Sequence, residues 1–76
     1  MTVLDMTFAD LAEADLRGAD LLGANLSLAR LRHARLSSAI LSGAFLPLCD
    51  LTEADLDGAF MTEVNLKQAD LSHAHL

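Results

Sequence analysis

The sequence contains no tryptophan or tyrosine, and only three phenylalanines, one proline and one cysteine among its 76 residues. Because aromatic anchors are scarce while 53% of the residues are apolar, any core must be built from many copies of leucine and alanine. The single cysteine, Cys49, excludes an intramolecular disulfide. Nothing in the sequence therefore points to an oxidising compartment.

Basic residues are also scarce, with five lysines and arginines against eleven acids and a formal net charge of −6. An acidic chain repels the phosphates of nucleic acids, which argues against direct binding of DNA or RNA. The sequence has neither a basic segment followed by the apolar core of a signal peptide nor an apolar run that approaches the length of a membrane span. We therefore expect a cytoplasmic chain that is not associated with a membrane.

What the sequence does have is a period of five residues. Thirteen leucines and one methionine occupy every fifth position from 11 to 76, and Met1 and Met6 continue the series upstream. Twelve alanines stand two residues before these central positions, where the exceptions are Leu4, Cys49 and Val64. The pattern has no insertion, so residues 1–76 form a single repeat domain, which could also be a fragment of a longer array.

Neither a helix nor a straight strand explains this spacing. Five residues of a helix rotate by about 140° beyond a full turn, so the leucines would spread around the cylinder without forming a stripe. In a strand, leucines five residues apart would point to opposite faces. Corners between successive units would turn every alanine and leucine inward, and four corners close a square coil of about 20 residues.

The glycines and the proline agree with such corners. All four glycines lie two residues after a central position, and Pro47 lies one residue after. Proline followed by glycine in the middle of a turn is the preference of type II β-turns. The sequence therefore predicts a turn of this type at the corners.

Stacked coils would place residues 20 apart above one another at ~4.8 Å. In this register both arginines of the outer columns lie between acids, and a third column alternates glutamate and histidine. Opposite charges on neighbouring strands stabilise a sheet by ~0.2–1 kcal/mol per pair. The predicted charge columns are Asp10–Arg30–Asp50, Asp15–Arg35–Asp55 and Glu13–His33–Glu53–His73.

The units "ADLAE", "ADLRG", "ANLSL", "ADLDG", "VNLKQ" and "ADLSH" resemble the A(D/N)LXX motif of the pentapeptide repeat family along essentially the whole chain. This resemblance implies an all-β protein, a right-handed quadrilateral β-helix of about four coils. The central residue and the small residue two before it would fill the interior. The chain departs from Asp or Asn before the central residue at Arg30, Arg35, Ile40, Phe45, Phe60 and His75.

Apolar residues at outward positions collect on two adjoining sides of the predicted coil. A contiguous apolar patch usually marks an interface or a covered surface, although single surface hydrophobes are ordinary and stacked ones can simply support the coil. The predicted interface comprises Phe8, Leu22, Leu28, Ile40, Phe45, Pro47, Leu48 and Phe60. We expect a protein partner or self-association into a homo-oligomer.

The two ends of the predicted solenoid raise a separate question, because solenoid ends normally carry capping elements and none is visible in the sequence. We expect one of three arrangements: the chain stacks end to end with another copy, it is part of a longer protein, or its terminal coils are frayed.

No constellation of residues predicts catalysis, a cofactor or a metal site. His33 and His73 lie two coils apart, ~9.6 Å, which is too far to share one ion. Cys49 takes an interior position, where a thiol is buried and inert. The basic cluster Arg30, Arg32, His33 and Arg35 could hold phosphate or an acidic partner, but acids on both neighbouring coils favour simple charge balance. We expect that the protein is not an enzyme.

The sequence thus favours a non-catalytic domain for protein–protein interaction or scaffolding. The resemblance implies one alternative, because some pentapeptide repeat proteins are acidic DNA mimics that bind DNA gyrase and confer resistance to its inhibitors. The net charge of −6 is compatible with this role. The arginines that interrupt the acidic columns and the shortness of the rod disfavour it.

Overall fold

The computed structural model describes residues 3–76, so Met1 lies outside the described residues. The chain forms a right-handed quadrilateral β-helix in which parallel bridges join residues 20 apart, from Asp5↔Asn25 to Asp55↔His75. Among residues 3–76, no helix is both long enough and apolar enough to cross a membrane. Each strand is a single bridged residue, and these residues are Asp5, Asp10, Asp15, Asp20, Asn25, Arg30, Arg35, Ile40, Phe45, Asp50, Asp55, Phe60, Asn65, Asp70 and His75.

A hydrogen-bonded turn follows each central residue from Met6 to Leu71. The amide of Ala34, for example, donates to the carbonyl oxygen of Leu31 at 2.9 Å. The residue two after the centre has a positive φ in every turn from Phe8 to His73, with values between 57° and 71°. The preceding turn residue does not have a positive φ. This combination defines the type II geometry and confirms the prediction made from the glycines and Pro47.

The register of the coils satisfies every backbone amide of a consensus unit, as residues 24–28 illustrate. The Ala24 amide closes a turn, and the Asn25, Leu26 and Leu28 amides donate to neighbouring coils at 2.7–3.0 Å. The remaining amide, that of Ser27, donates to Oδ1 of Asn25 at 3.1 Å. Since unpaired backbone groups are costly, this complete pairing explains why such short strands are stable.

The interior is filled by the predicted central and small residues. The central leucines from Leu21 to Leu56 and the alanines two residues before a central position from Ala24 to Ala54 are buried, and most of them are fully excluded from solvent. Cys49 is also buried, and its Sγ donates to the carbonyl oxygen of Leu26 at 2.7 Å. Burial raises the pKa of the Cys49 thiol. A buried, protonated thiol is a poor nucleophile.

Candidate interaction surface

The side of the coil centred on Met6, Leu26, Leu46 and Leu66, called here the apolar side, carries a column of three large exposed residues. Phe8, Leu28 and Leu48 expose 69%, 39% and 51% of their surface. The backbone amide of Phe8 donates to the carbonyl oxygen of Ser27 at 2.9 Å, and that of Leu28 donates to the carbonyl oxygen of Pro47 at 3.0 Å. These bonds between coils place the three residues on successive coils. Phe45 lies on the same side and is 44% exposed, while Pro47 beside it is half-buried.

The neighbouring side, centred on Leu21, Leu41 and Met61, carries the other three predicted residues. Ile40 and Phe60 form a parallel bridge and therefore stack directly on successive coils. Ile40 is half-buried, whereas Phe60 and Leu22 are exposed. The structure thus places all eight predicted apolar residues on two adjoining sides.

The conformation of the apolar column is unfavourable for its residues. Among residues 3–76, fourteen turn residues have a positive φ, and the three apolar ones are Phe8, Leu28 and Leu48, with φ of 65°, 60° and 61°. All the others are glycine or polar. The left-handed conformation costs a residue with a Cβ roughly 1–2 kcal/mol, and bulky residues adopt it rarely. The apolar column therefore combines solvent exposure with backbone strain.

Aspartate and asparagine before the central residue have a structural role that our sequence reasoning missed. Each of the nine accepts a hydrogen bond from the amide two residues later, as Asp50 does from Thr52 at 3.0 Å. The two-residue spacing of an Asx turn was the signal that could have revealed it. Where Ile40 and Phe60 replace the acceptor, the amides of Ser42 and Thr62 have no such bond within residues 3–76.

The predicted charge columns are aligned by the parallel bridges, but only some of their members form ion pairs. Arg30 lies between Asp10 and Asp50 and approaches Oδ2 of Asp10 at 3.9 Å. In the third column, Nε2 of His33 lies 2.9 Å from Oε2 of Glu53. These groups are solvent-exposed, and such pairs contribute ~0–1 kcal/mol.

In the second column, alignment by the bridges does not produce an ion pair between coils. Arg35 lies between Asp15 and Asp55 as expected, yet its side chain forms no ion pair among residues 3–76. Asp15 instead pairs with Arg17 of its own unit through two bonds of 2.8 Å. Hydrogen bonds from the Arg17 guanidinium hold the pKa of Asp15 well below its usual range. Both partners lie on one coil, so the 20-residue register does not predict this pair.

No group of three or more His, Cys, Asp or Glu side chains within residues 3–76 is arranged to hold a metal ion. The same residues form no cavity.

The structure is a square solenoid of five-residue units, with leucine and alanine inside and a hydrogen-bonded turn at each corner. This architecture defines a repeat protein of the pentapeptide class. The chain belongs to the pentapeptide repeat family, because the family described as Pentapeptide repeats matches residues 9–46, 29–68 and 48–76 in eight copies.

Solved structures of pentapeptide repeat proteins share this fold. Rfr23 from the cyanobacterium Cyanothece 51142 is 32% identical with a TM-score of 0.78, and the match covers 93% of this chain and 52% of that protein. The protein alr5209 from Nostoc Pcc 7120 is 40% identical with a TM-score of 0.60, covering 95% of this chain and 64% of that protein. The chain thus spans roughly half to two thirds of these relatives. A comparison with curated protein sequences found no match.

Proposed function

We propose that the protein is a non-catalytic interaction or scaffolding domain that associates with a protein partner through the apolar side. The observation that carries this proposal is the column of Phe8, Leu28 and Leu48, which is exposed and has left-handed backbone. Glycine at these positions would relieve the backbone strain, and a polar residue would reduce the exposed apolar surface. Unfavourable residues of this kind cluster where function requires them.

The alternative, DNA mimicry toward gyrase, has weaker support. A mimic needs continuous negative faces, but Arg30 and Arg35 interrupt two acidic columns. The carboxylate of Asp15 is further engaged by Arg17. The chain as a whole is acidic, with a net charge of −6, so competition with DNA for gyrase at low salt would be the observation in its favour.

The experiment compares the free energy of unfolding of the protein with that of the variant Phe45→Asp, Leu28→Asp. Aspartate is the consensus residue at position 45 and tolerates the positive φ at position 28 better than leucine does. If the apolar side exists for binding, the variant should be at least as stable as the parent in urea unfolding at low protein concentration. If the parent self-associates, the molar mass of the variant in light scattering at high concentration should be that of the monomer.

A matched control introduces the same two charges on the opposite side of the coil, as Ser37→Asp, Ser38→Asp. Ser38 has the same backbone conformation as Leu28, with φ of 60°. The control should retain the association behaviour of the parent. A loss of more than ~2 kcal/mol of stability in the Phe45→Asp, Leu28→Asp variant alone would contradict the proposal, because the apolar residues would then serve the packing of the coil.

A further inference from the structure

The distribution of charge on the apolar side points to a particular partner. The outward residues of this side include only two charged groups, Asp5 and Lys67, among the described residues. The side is therefore neutral, whereas the chain as a whole has a net charge of −6. Copies of the chain repel one another through their acidic sides, and the apolar side is where that repulsion is smallest.

We propose that the apolar side binds the apolar side of a second copy of this chain, with the two solenoids antiparallel. This inference rests on the proposed function and names its partner. A strongly basic partner would be attracted to the acidic sides instead, because charge complementarity steers association. A two-fold axis makes the contact self-complementary and closes the assembly as a dimer.

The positions of the two charges select the antiparallel orientation. Bridges join Asp5, Asn25, Phe45 and Asn65 in succession, so Asp5 lies on the first coil and Lys67, two residues after Asn65, lies on the fourth. Reversing the second copy brings Asp5 to the level of the partner's Lys67, and does so twice by symmetry. Parallel solenoids would instead hold the two Asp5 side chains at one level and the two Lys67 side chains at another, which is unfavourable.

The same orientation pairs the apolar residues. In the antiparallel dimer Leu28 faces the partner's Leu48, and Phe45 lies at the level of the partner's Asn25. One of four sides amounts to less than a quarter of the 4558 Å² accessible surface. One side is therefore large enough for an interface of about the standard size, ~800 Å² per partner. We expect a dimer whose population depends on protein concentration in the micromolar range.

Charge reversal tests the orientation. Asp5→Lys and Lys67→Asp should each raise the dimer dissociation constant about three- to tenfold in sedimentation equilibrium at low salt, because like charges then meet at both ends of the interface. The double variant Asp5→Lys, Lys67→Asp should restore the parent value within about twofold. Independent effects that simply multiply in the double variant would overturn the proposal.

Cross-linking gives a second, geometric readout. When Leu28→Cys protein is mixed with Leu48→Cys protein and oxidised, the disulfide-linked dimer should join one variant to the other, and each variant alone should cross-link weakly. The native Cys49 is buried and does not compete. Cross-linking of each variant mainly with itself would overturn the antiparallel arrangement.

The outcomes separate this inference from the proposed function. If Phe45→Asp, Leu28→Asp keeps its stability but the parent is a monomer at every concentration, the second copy is excluded and the partner is a different protein. If that variant loses its stability, the apolar side is structural and both proposals fail.

Discussion

Phe45 and Pro47 occupy the one described unit in which the side-chain acceptor and the backbone donor of the Asx turn are both absent. In the unit 20 residues earlier, Asn25 accepts from the amide of Ser27 at 3.1 Å and from its hydroxyl at 2.6 Å. Phe45 offers no acceptor, and Pro47 has no amide hydrogen. The exposed phenylalanine therefore leaves no backbone donor of its own turn unpaired.

This relationship predicts energetic coupling between the two positions. Phe45→Asn alone gains no hydrogen bond because Pro47 cannot donate, whereas Phe45→Asn with Pro47→Ser recreates the pair seen at Asn25 and Ser27. We expect a favourable coupling of about 0.5–1.5 kcal/mol in a double-mutant cycle of urea unfolding. The cycle also cancels the effect of Pro47→Ser on the unfolded chain.

Asn65→Ala is the control for this coupling, since Asn65 accepts from the amide of Lys67 at 2.9 Å on the same side. It should lose about the same free energy that the cycle gains. Additive single effects at positions 45 and 47 would show that the Asx bond contributes nothing here.

A second prediction concerns the turns themselves, at Gly43, which has φ of 69°. A Cβ at Gly43 would meet no atom within 4 Å, so any penalty of substitution is conformational and not steric. Gly43→Ala should destabilise the protein by about 1 kcal/mol in urea unfolding. Gly43→Asn should cost less, because asparagine adopts this conformation more readily, and equal costs for both variants would contradict the explanation.

The coil could be predicted from the sequence because its geometry follows from spacing alone. A large residue every fifth position and a small one two before it exclude both the helix and the straight strand. The glycines and Pro47 then fix the corners, and the coil length fixes the register, as the bridge Asp10↔Arg30 confirms. The eight apolar residues of the candidate site could be assigned to two sides for the same reason.

The five-residue and 20-residue spacings do not predict contacts within a unit, because those contacts depend on side-chain geometry. The ion pair of Arg17 with Asp15 is one example. Another is the widening of a turn at Cys49, whose amide lies 3.4 Å from the Leu46 carbonyl oxygen, and at Val64, where the equivalent distance is 3.3 Å. Turns that close on alanine measure 2.9–3.0 Å. The larger interior side chains thus loosen the corner by a few tenths of an ångström.

A third prediction concerns the leucine core. Leu36 is fully buried, so Leu36→Ala should cost about 2–5 kcal/mol through lost burial and a cavity. Leu71 is only partly buried, so Leu71→Ala should cost less, about 1–2 kcal/mol in proportion to the area it buries. Urea unfolding measures both.

Leu36→Met provides the control, because it conserves volume and methionine already occupies the central position at Met61. It should cost less than ~1.5 kcal/mol. Equal losses for Leu36→Ala and Leu71→Ala would mean that burial does not determine the contribution of a central residue.

A fourth prediction follows from the aspartates of the Asx turns. Hydrogen bonds from the hydroxyl and amide of Ser72 lower the pKa of Asp70, and those of Thr52 lower the pKa of Asp50. A carboxylate whose folded pKa lies below its unfolded value of about 3.9 stabilises the folded state above that pH. Its contribution is lost as the pH falls through the folded pKa. The melting temperature should therefore drop steeply below about pH 4.

Asparagine keeps the acceptor of the Asx turn but does not titrate. The melting temperature of the double variant Asp50→Asn, Asp70→Asn should therefore fall less between pH 5 and pH 2 than the melting temperature of the parent protein does. The charge-matched control is Asp57→Asn, Glu63→Gln, which removes two carboxylates that accept no hydrogen bond within residues 3–76. If acid sensitivity arises from the turn bonds, only the first variant flattens the pH profile. If it arises from the total positive charge of the acid form, the two variants should change the profile equally, because each lacks two carboxylates at pH 5 and all three chains carry the same charge once the carboxyls are neutral.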